Sequence, residues 1–352
     1  MTIGYFGNYN PAHPRNMIFL ECLRLAGFEV VEINYRGPRV KKYIRMISEL
    51  RAKRSQIDCL IVGFPGQQAM LVAKIFYRGP IVFNVLLSLY DAVIVDRRRY
   101  PRYSIRALYF WLLDYISARL PNRLVLDCMA YMDYFEKNFK IRPQKMARVF
   151  LGADEDIFRP LNLLGKNLEI HYYSSYIPTH GTDTIVRAAK LLENEGVKFI
   201  LSGRGQCYEQ TRELADALRI ENVEFIERMG SQEELNNFIN TSWVSLGIFG
   251  LRPRTGRIIG SKVFEALACG RPVITSETAA GKEFLSDAES VLFVRPEDPV
   301  DLAEKILLLK RDEALRQKIA AGGRLAYEKN ASFAAIAKEL KNLIMTVCQT
   351  AK

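Results

Sequence analysis

Short apolar runs alternating with longer amphipathic stretches constrain this chain more than any other feature. Strand-like segments at 2–6, 29–33, 59–63, 81–87, 124–127 and 148–150 are separated by helix-like stretches, among them 15–26, 39–54, 104–120 and 130–139. Such spacing leaves no room for hairpins. Each strand needs a crossover, and crossover helices lay strands parallel in an α/β layer. The pattern resumes with strands at 168–173, 198–201, 223–226, 244–250, 273–275 and 291–294. Helices are expected at 183–193, just after 261, at 283–285, at 299–309 and at 333–347. Between the two runs, Gly152 to Pro160 is polar and holds glycine and proline, which reads as a domain junction.

In an open parallel sheet, ligands sit at the carboxyl ends of the strands. Gly7, Asn8 and Tyr9 follow the first strand, with Arg15 opening the next helix; Asp91 follows the strand at 81–87. In the second half the same positions hold Ser175, His180 and Gly181, then Gly203-Arg204-Gly205, then Arg228, then Phe249-Gly250. Gly-x-Gly after a strand suits a phosphate, and equally suits a plain turn.

The stretch from Arg257 to Ser276 is the most specific. Val263, Phe264, Leu267 and Ala268 form a helical stripe, Gly270 fits a left-handed cap, Pro272 stops the helix, and Val273-Ile274-Thr275 reads as a strand. Ser261 is expected to cap the helix. Lys262 stands at its start and Glu265 one turn in, below a loop carrying Arg252, Arg254 and Arg257. Unpaired N–H groups and a partial positive charge at a helix start suit phosphate. A carboxylate one turn in can accept hydrogen bonds from a ribose diol.

Charge is uneven. Of 50 Lys+Arg and 39 Asp+Glu, residues 1–160 hold 25 and 14, and the rest hold 25 of each, so the whole net charge of +11 lies in the first part. That part should face something anionic: a membrane surface, a phosphorylated acceptor or nucleic acid. No helix-turn-helix, zinc or aromatic ribonucleoprotein signature appears, so nucleic acid is not expected. The helix at 39–54 (Val40, Tyr43, Ile44, Ile47 and Leu50 on one side) and the segment 97–117 mix basic with apolar or aromatic residues. Either suits an anionic membrane surface, and either could be an ordinary packed helix. Six scattered cysteines point to free thiols in a reducing compartment, and three histidines form no zinc-type set. The apolar run at 108–116 is interrupted by Asp114 and too short to span a bilayer. Residues 2–6 read as a strand rather than a leader. A cytoplasmic protein, peripheral on the inner face of the cell membrane, is the expectation.

The run 257–276 resembles the donor-sugar motif of the retaining GT-B glycosyltransferases of family 4. That family usually carries two glutamates eight positions apart; Glu265 matches the second, and Arg257 stands at the first. Arginine in place of the first glutamate resembles a bacterial sub-group, and His180-Gly181 stands where Lys-Gly is common. The resemblance implies two Rossmann-like domains facing across a cleft: an acceptor-side domain at 1–160, a nucleotide-sugar domain at 161–332, and a final helix, 333–352, crossing back. It implies transfer of a hexose-type sugar from a nucleotide-diphosphate donor to a glycan or lipid-linked acceptor, with retention of configuration and no metal. Glu265 would hold the ribose, and Lys262, with Arg257 or Arg204, would neutralise the diphosphate. Asp91 would orient sugar or acceptor. Ser175, His180, Gly181, Gly203, Gly205, Arg228, Phe249 and Gly250 complete the donor set; Gly7, Asn8, Tyr9 and Arg15 lie on the acceptor side. A nucleotide-sugar epimerase of the same fold and a catalytically silent sugar-nucleotide binder fit the same residues.

Overall fold

The computed structural model describes residues 1–35, 37–161, 163, 168–228 and 230–350. Met229, the side chains of Arg39 and Val40, and residues 351–352 lie outside the described residues. Two compact units form: Met1–Leu151 with Phe333–Lys352, and Gly152–Ser332.

The first unit runs β1 (Thr2–Gly7), α1 (Pro14–Leu25), β2 (Glu29–Asn34), α2 (Arg39–Lys53), β3 (Cys59–Val62), α3 (Gln67–Phe76), β4 (Ile81–Asn84), α4 (Ile105–Ser117), β5 (Arg123–Leu126), α5 (Met129–Phe139) and β6 (Met146–Arg148). The sheet order is β2-β1-β3-β4-β5-β6 and every pairing is parallel. β3 and β4 are buried along their whole length, which is why they read as unbroken apolar runs instead of alternating ones. The order reverses at β1. With right-handed crossovers, α1 then lies on one face and α2, α3 and α4 on the other. Helix α3, which carries no caps or charged pattern, had no sequence expectation. β4 stops at Asn84, three residues short of the expected end, and Asp91 opens a single π-helical turn, Asp91–Asp96.

The second unit runs β7 (Glu169–Ser174), α6 (Thr182–Leu191), β8 (Lys198–Gly203), α7 (Tyr208–Ala217), β9 (Val223–Ile226), α8 (Gln232–Thr241), β10 (Ser245–Leu246), α9 (Ser261–Ala268), β11 (Val273–Ser276), α10 (Ala279–Lys282), β12 (Leu292–Val294), α11 (Pro299–Arg311) and α12 (Glu313–Asn330). Two parallel three-stranded sheets, β7-β8-β9 and β10-β11-β12, share one core through Ile170, Phe199, Leu246, Ile274 and Leu292. The strand expected at 244–250 pairs only over β10, and the short helix expected at 283–285 lies earlier, as α10.

Residues 152–160 belong to this second unit, although their composition reads as a junction closing the first. Side chains of α8 hold them there. Asn240 accepts from the Leu161 N–H (2.8 Å) and donates to the Arg159 carbonyl (3.0 Å), and Tyr327 donates to the Ala153 carbonyl. The last helix, α13 (Phe333–Thr350), returns to the first unit. Ile336, Leu340, Ile344 and Val347 recur at helical spacing and are buried against Ile18, Phe19 and Leu23 of α1.

Candidate functional site

Helix α9 is fixed at both ends. At its C-terminus the Gly270 N–H donates to the Leu267 carbonyl (3.0 Å) and the Arg271 N–H to the Ala266 carbonyl (2.9 Å), with Gly270 at φ +67°. This paired closure needs a left-handed residue, which glycine adopts without strain. The Arg324 guanidinium donates to the Ala268 carbonyl. Phe264 stacks obliquely on Phe284 (5.1 Å), and Leu267 fits where Gly323 of α12 has no side chain. At the other end Gly260, extended at φ −63° and ψ 141°, holds the cap position, so Ser261 is the first helical residue and not the cap. Among the described residues no side chain caps the helix. The Val263 N–H donates to the Gly260 carbonyl (2.9 Å), so the Ser261 and Lys262 N–H groups are the first-turn donors that favour an anion.

Lys262 and Glu265 sit one turn apart on this helix, 5% and 7% exposed. Among the described residues, neither has a partner of opposite charge. The Lys262 ammonium donates to the Tyr172 hydroxyl (3.1 Å) and lies 4.6 Å from that ring's centre. Burial lowers its pKa to about 7. The Tyr173 hydroxyl donates to Glu265, and burial raises the Glu265 pKa to about 8. Desolvation alone accounts for both shifts: each charged form lacks the hydrogen bonds and counter-charge it needs. A diphosphate offers Lys262 the missing anion, and a sugar diol offers Glu265 the missing donors. Tyr172 and Tyr173, at the end of β7, escaped the sequence reading. A tyrosine pair ending a strand beside Ser174-Ser175 was the available signal.

The surrounding glycines are explained by backbone packing. A Cβ at Gly203 (φ +112°) would lie 2.0 Å from the Ser174 carbonyl oxygen, and one at Gly205 1.8 Å from that of Ser175. Gly181 and Gly250 face each other the same way: a Cβ on Gly181 would meet the Gly250 nitrogen at 2.3 Å. The Phe249 N–H donates to the His180 carbonyl (3.0 Å), so the two loops are joined. The His180 ring meets the Ser174 hydroxyl at 2.8 Å, which also accepts from the Tyr176 N–H. Ser175 is exposed beside them.

Two donor-set assignments change, those of Phe249 and Arg204. Phe249 is fully buried in the core, so only its backbone faces the loops. Arg204 is exposed and already paired with Glu209 (3.1 Å) and Glu227 (3.3 Å), so it is not a spare cation. Arg228 is exposed and lines an open pocket of about 420 Å³ with Ser202, Ile226, Glu234 and Phe238. Arg257 lies in the one-turn helix Thr255–Arg257, five residues before Lys262.

In the first unit Tyr9, Arg15 and Asp91 are buried in framework contacts. Tyr9 is buried, edge-on to Tyr5 at 4.8 Å, with its hydroxyl donating to Glu32 (2.8 Å). Arg15 is fully buried. It donates to Asn84 (2.7 Å) and to the carbonyls of Val149 (2.9 Å) and Phe150 (3.1 Å), and burial lowers its pKa to about 10. It ties α1 to β4 and to the residues after β6 through Nε and Nη1, while Nη2 is buried and has no hydrogen-bond partner among the described residues. Asp91 is fully buried and accepts from the Tyr131 hydroxyl (3.1 Å), so it is enclosed and not placed to touch a substrate. Gly7 and the half-buried Asn8 remain at the carboxyl end of β1. Asp114, read only as a break in an apolar run, organises the loop after β4. It accepts from the N–H groups of Leu89 and Tyr90, the Ser88 hydroxyl and the Gln67 amide.

Two parallel-sheet units wound with helices, the second carrying a buried Lys–Glu pair at a helix start, define the GT-B class of fold. An Anabaena protein, Alr3699/HepE, solved in complex with UDP and glucose, superposes with a TM-score of 0.74 over 98% of this chain and 100% of that one, at 14% identity. Residues 153–326 match the family described as glycosyl transferases group 1, and the second unit is a domain of that family. Among curated relatives, the uncharacterized glycosyltransferase MJ1178 of Methanocaldococcus jannaschii is 26% identical over 153 residues, 44% of this chain. Phosphatidyl-myo-inositol mannosyltransferase of Mycobacterium leprae is 27% identical over 153 residues, also 44% of this chain. These matches span about two fifths of the relatives' own lengths, 41% and 39%.

Proposed function

We propose that the protein transfers a hexose-type sugar from a nucleotide-diphosphate sugar to a glycan or lipid-linked acceptor, with retention, in the synthesis of cell-surface polysaccharide or glycolipid. The observation that carries this reading is the pair Lys262 and Glu265: two buried ionisable groups with opposite shifts and no mutual ion pair, at an uncapped helix start. Buried groups with such shifts and no partner of opposite charge are functional-site candidates. Lys262 holds the diphosphate, and it stabilises the charge that develops there as the sugar departs. Glu265 accepts the ribose hydroxyls. The α9 donors add to the anion site, and the loops fixed by Gly181, Gly203 and Gly205 border it. Arg257, where relatives of this type carry a glutamate, adds positive charge in the same loop and leaves hexose contacts to other groups. The mannosyltransferase name among the relatives supports a lipid-borne acceptor, and the UDP complex of the Anabaena neighbour makes UDP the first nucleotide to try.

The test is calorimetric titration with a panel of nucleotides and nucleotide sugars, followed by turnover with lipid-linked acceptors and assignment of the product's anomeric configuration. Tight binding of one donor with retained configuration is the expected result. Release of free sugar without an acceptor would indicate an epimerase, and binding without turnover a silent binder. No affinity for any nucleotide diphosphate would refute the reading.

A further inference from the structure

Helix α4 is apolar on its outer face as well as at Ala107 and Leu113 on its inner one. Ile105, Leu108, Tyr109, Leu112 and Ile116 recur at helical spacing and are exposed, Ile105 at 87%, while the carboxylate of Asp114 points inward and is buried. Tyr103, just before the helix, is 97% exposed. The inward face needs its polar group, because Asp114 gathers the loop N–H groups after β4. The outward face has no such reason to be apolar, and a contiguous apolar stripe on a water-facing helix marks a contact surface.

Arginines flank the stripe. Arg98, Arg99, Arg102 and Arg106 are exposed, and among the described residues none of them stands in an ion pair. The stripe also continues across the unit. Tyr109 accepts from Gln68 of α3 (2.8 Å), which accepts from Tyr43 of α2 (2.9 Å), beside the exposed Ile44. The basic helix α2 and the arginine-rich entry to α4 are thus one surface. The first unit holds 27 Lys+Arg against 12 Asp+Glu, a net of +15, whereas the second is net −4.

We infer that this face docks on an anionic phospholipid bilayer, with the α4 stripe seated among the headgroups and the arginines on lipid phosphates. Aliphatic and tyrosine side chains rimmed by arginines outside any ion pair among the described residues, Arg106 lying over the Tyr100 ring (4.5 Å), match the chemistry of that interface, apolar below and anionic above. A protein partner would not require the excess charge. Among the described residues no helix is long and apolar enough to cross a membrane, so the contact is a surface one. The inference rests on the first unit alone and is independent of the proposed activity.

Vesicle flotation of the full chain at low salt tests it. Vesicles of phosphatidylcholine with phosphatidylglycerol should carry the protein, and pure phosphatidylcholine should carry far less. Ile105→Ser with Leu112→Ser, and separately Arg102→Glu with Arg106→Glu, should each lower the partition coefficient about tenfold or more. All four positions are exposed, so an unchanged circular dichroism spectrum is expected for both variants. No binding to phosphatidylglycerol vesicles, or equal binding by the variants, would overturn the inference. So would a concentration-dependent dimer, abolished by the serine pair, in a protein that ignores vesicles; the face would then seat a second copy of the chain.

Discussion

Replacing Lys262 by methionine should make the unliganded protein more stable while weakening its affinity for UDP. The ammonium is buried, with a tyrosine hydroxyl as its only hydrogen-bond partner among the described residues, and its pKa falls from 10.5 to about 7. At about 1.4 kcal/mol per unit, that shift corresponds to roughly 4 kcal/mol of destabilisation at pH 7. Methionine fills nearly the same volume with no charge. Loss of the bond to Tyr172 offsets about 1 kcal/mol, and water penetration reduces the gain further, leaving on the order of 2–3 kcal/mol. For a unit of this size that is roughly 5–10 °C in Tm. The sign with pH follows from a lysine whose folded pKa lies below its unfolded one. Between pH 7 and 10.5 the unfolded chain binds more protons, so the wild type gains stability as pH rises. The methionine advantage should be full at or below pH 7 and vanish near pH 10.5. Calorimetric unfolding of the full chain across this range, with its transitions resolved because two units need not melt together, measures the effect. Titration of the same variant with UDP should show affinity lower by about 10- to 100-fold, the worth of a charge-assisted hydrogen bond. A variant less stable than wild type, or one binding UDP within threefold of it, would refute the reasoning.

Glu265→Gln should behave in the mirror sense. The carboxyl is raised from 4.5 to about 8 by burial, so its penalty is absent below pH 4.5 and full above about pH 8. Urea unfolding should show the glutamine variant more stable at pH 7 by about 2–3 kcal/mol and equal to wild type near pH 4, with UDP affinity about tenfold weaker at pH 7. A gain that persists at pH 4 would remove the linkage argument. Arg204→Ala should change UDP affinity by less than about threefold, because the guanidinium is exposed and already matched by Glu209 and Glu227; a tenfold loss on titration would return it to the donor site.

Local chemistry made the α/β class, the α9–β11 turn and the Lys262–Glu265 pair legible in the sequence. Pro272 and Gly270 act within a few residues, and an apolar period needs no knowledge of what it packs against. Long-range contact decided the rest. Arg15 and Asp91 look like ligand groups at strand ends, yet both are buried: Arg15 Nη1 is held by the carbonyls of Val149 and Phe150, more than a hundred residues away, and Asp91 accepts from Tyr131. Arg204 looks free until Glu227 is folded beside it. Residues 152–160 look like a linker until Asn236 and Asn240 claim their backbone. Helix α4 shows an apolar period in the sequence, but the period does not say which side faces in; the four bonds gathered by Asp114 fix the side that is buried. Composition and spacing fix what a segment is, because propensity and periodicity act locally. Whether a charged side chain is spent on the framework or kept for a ligand depends on partners distant in sequence, and only the folded chain brings those together.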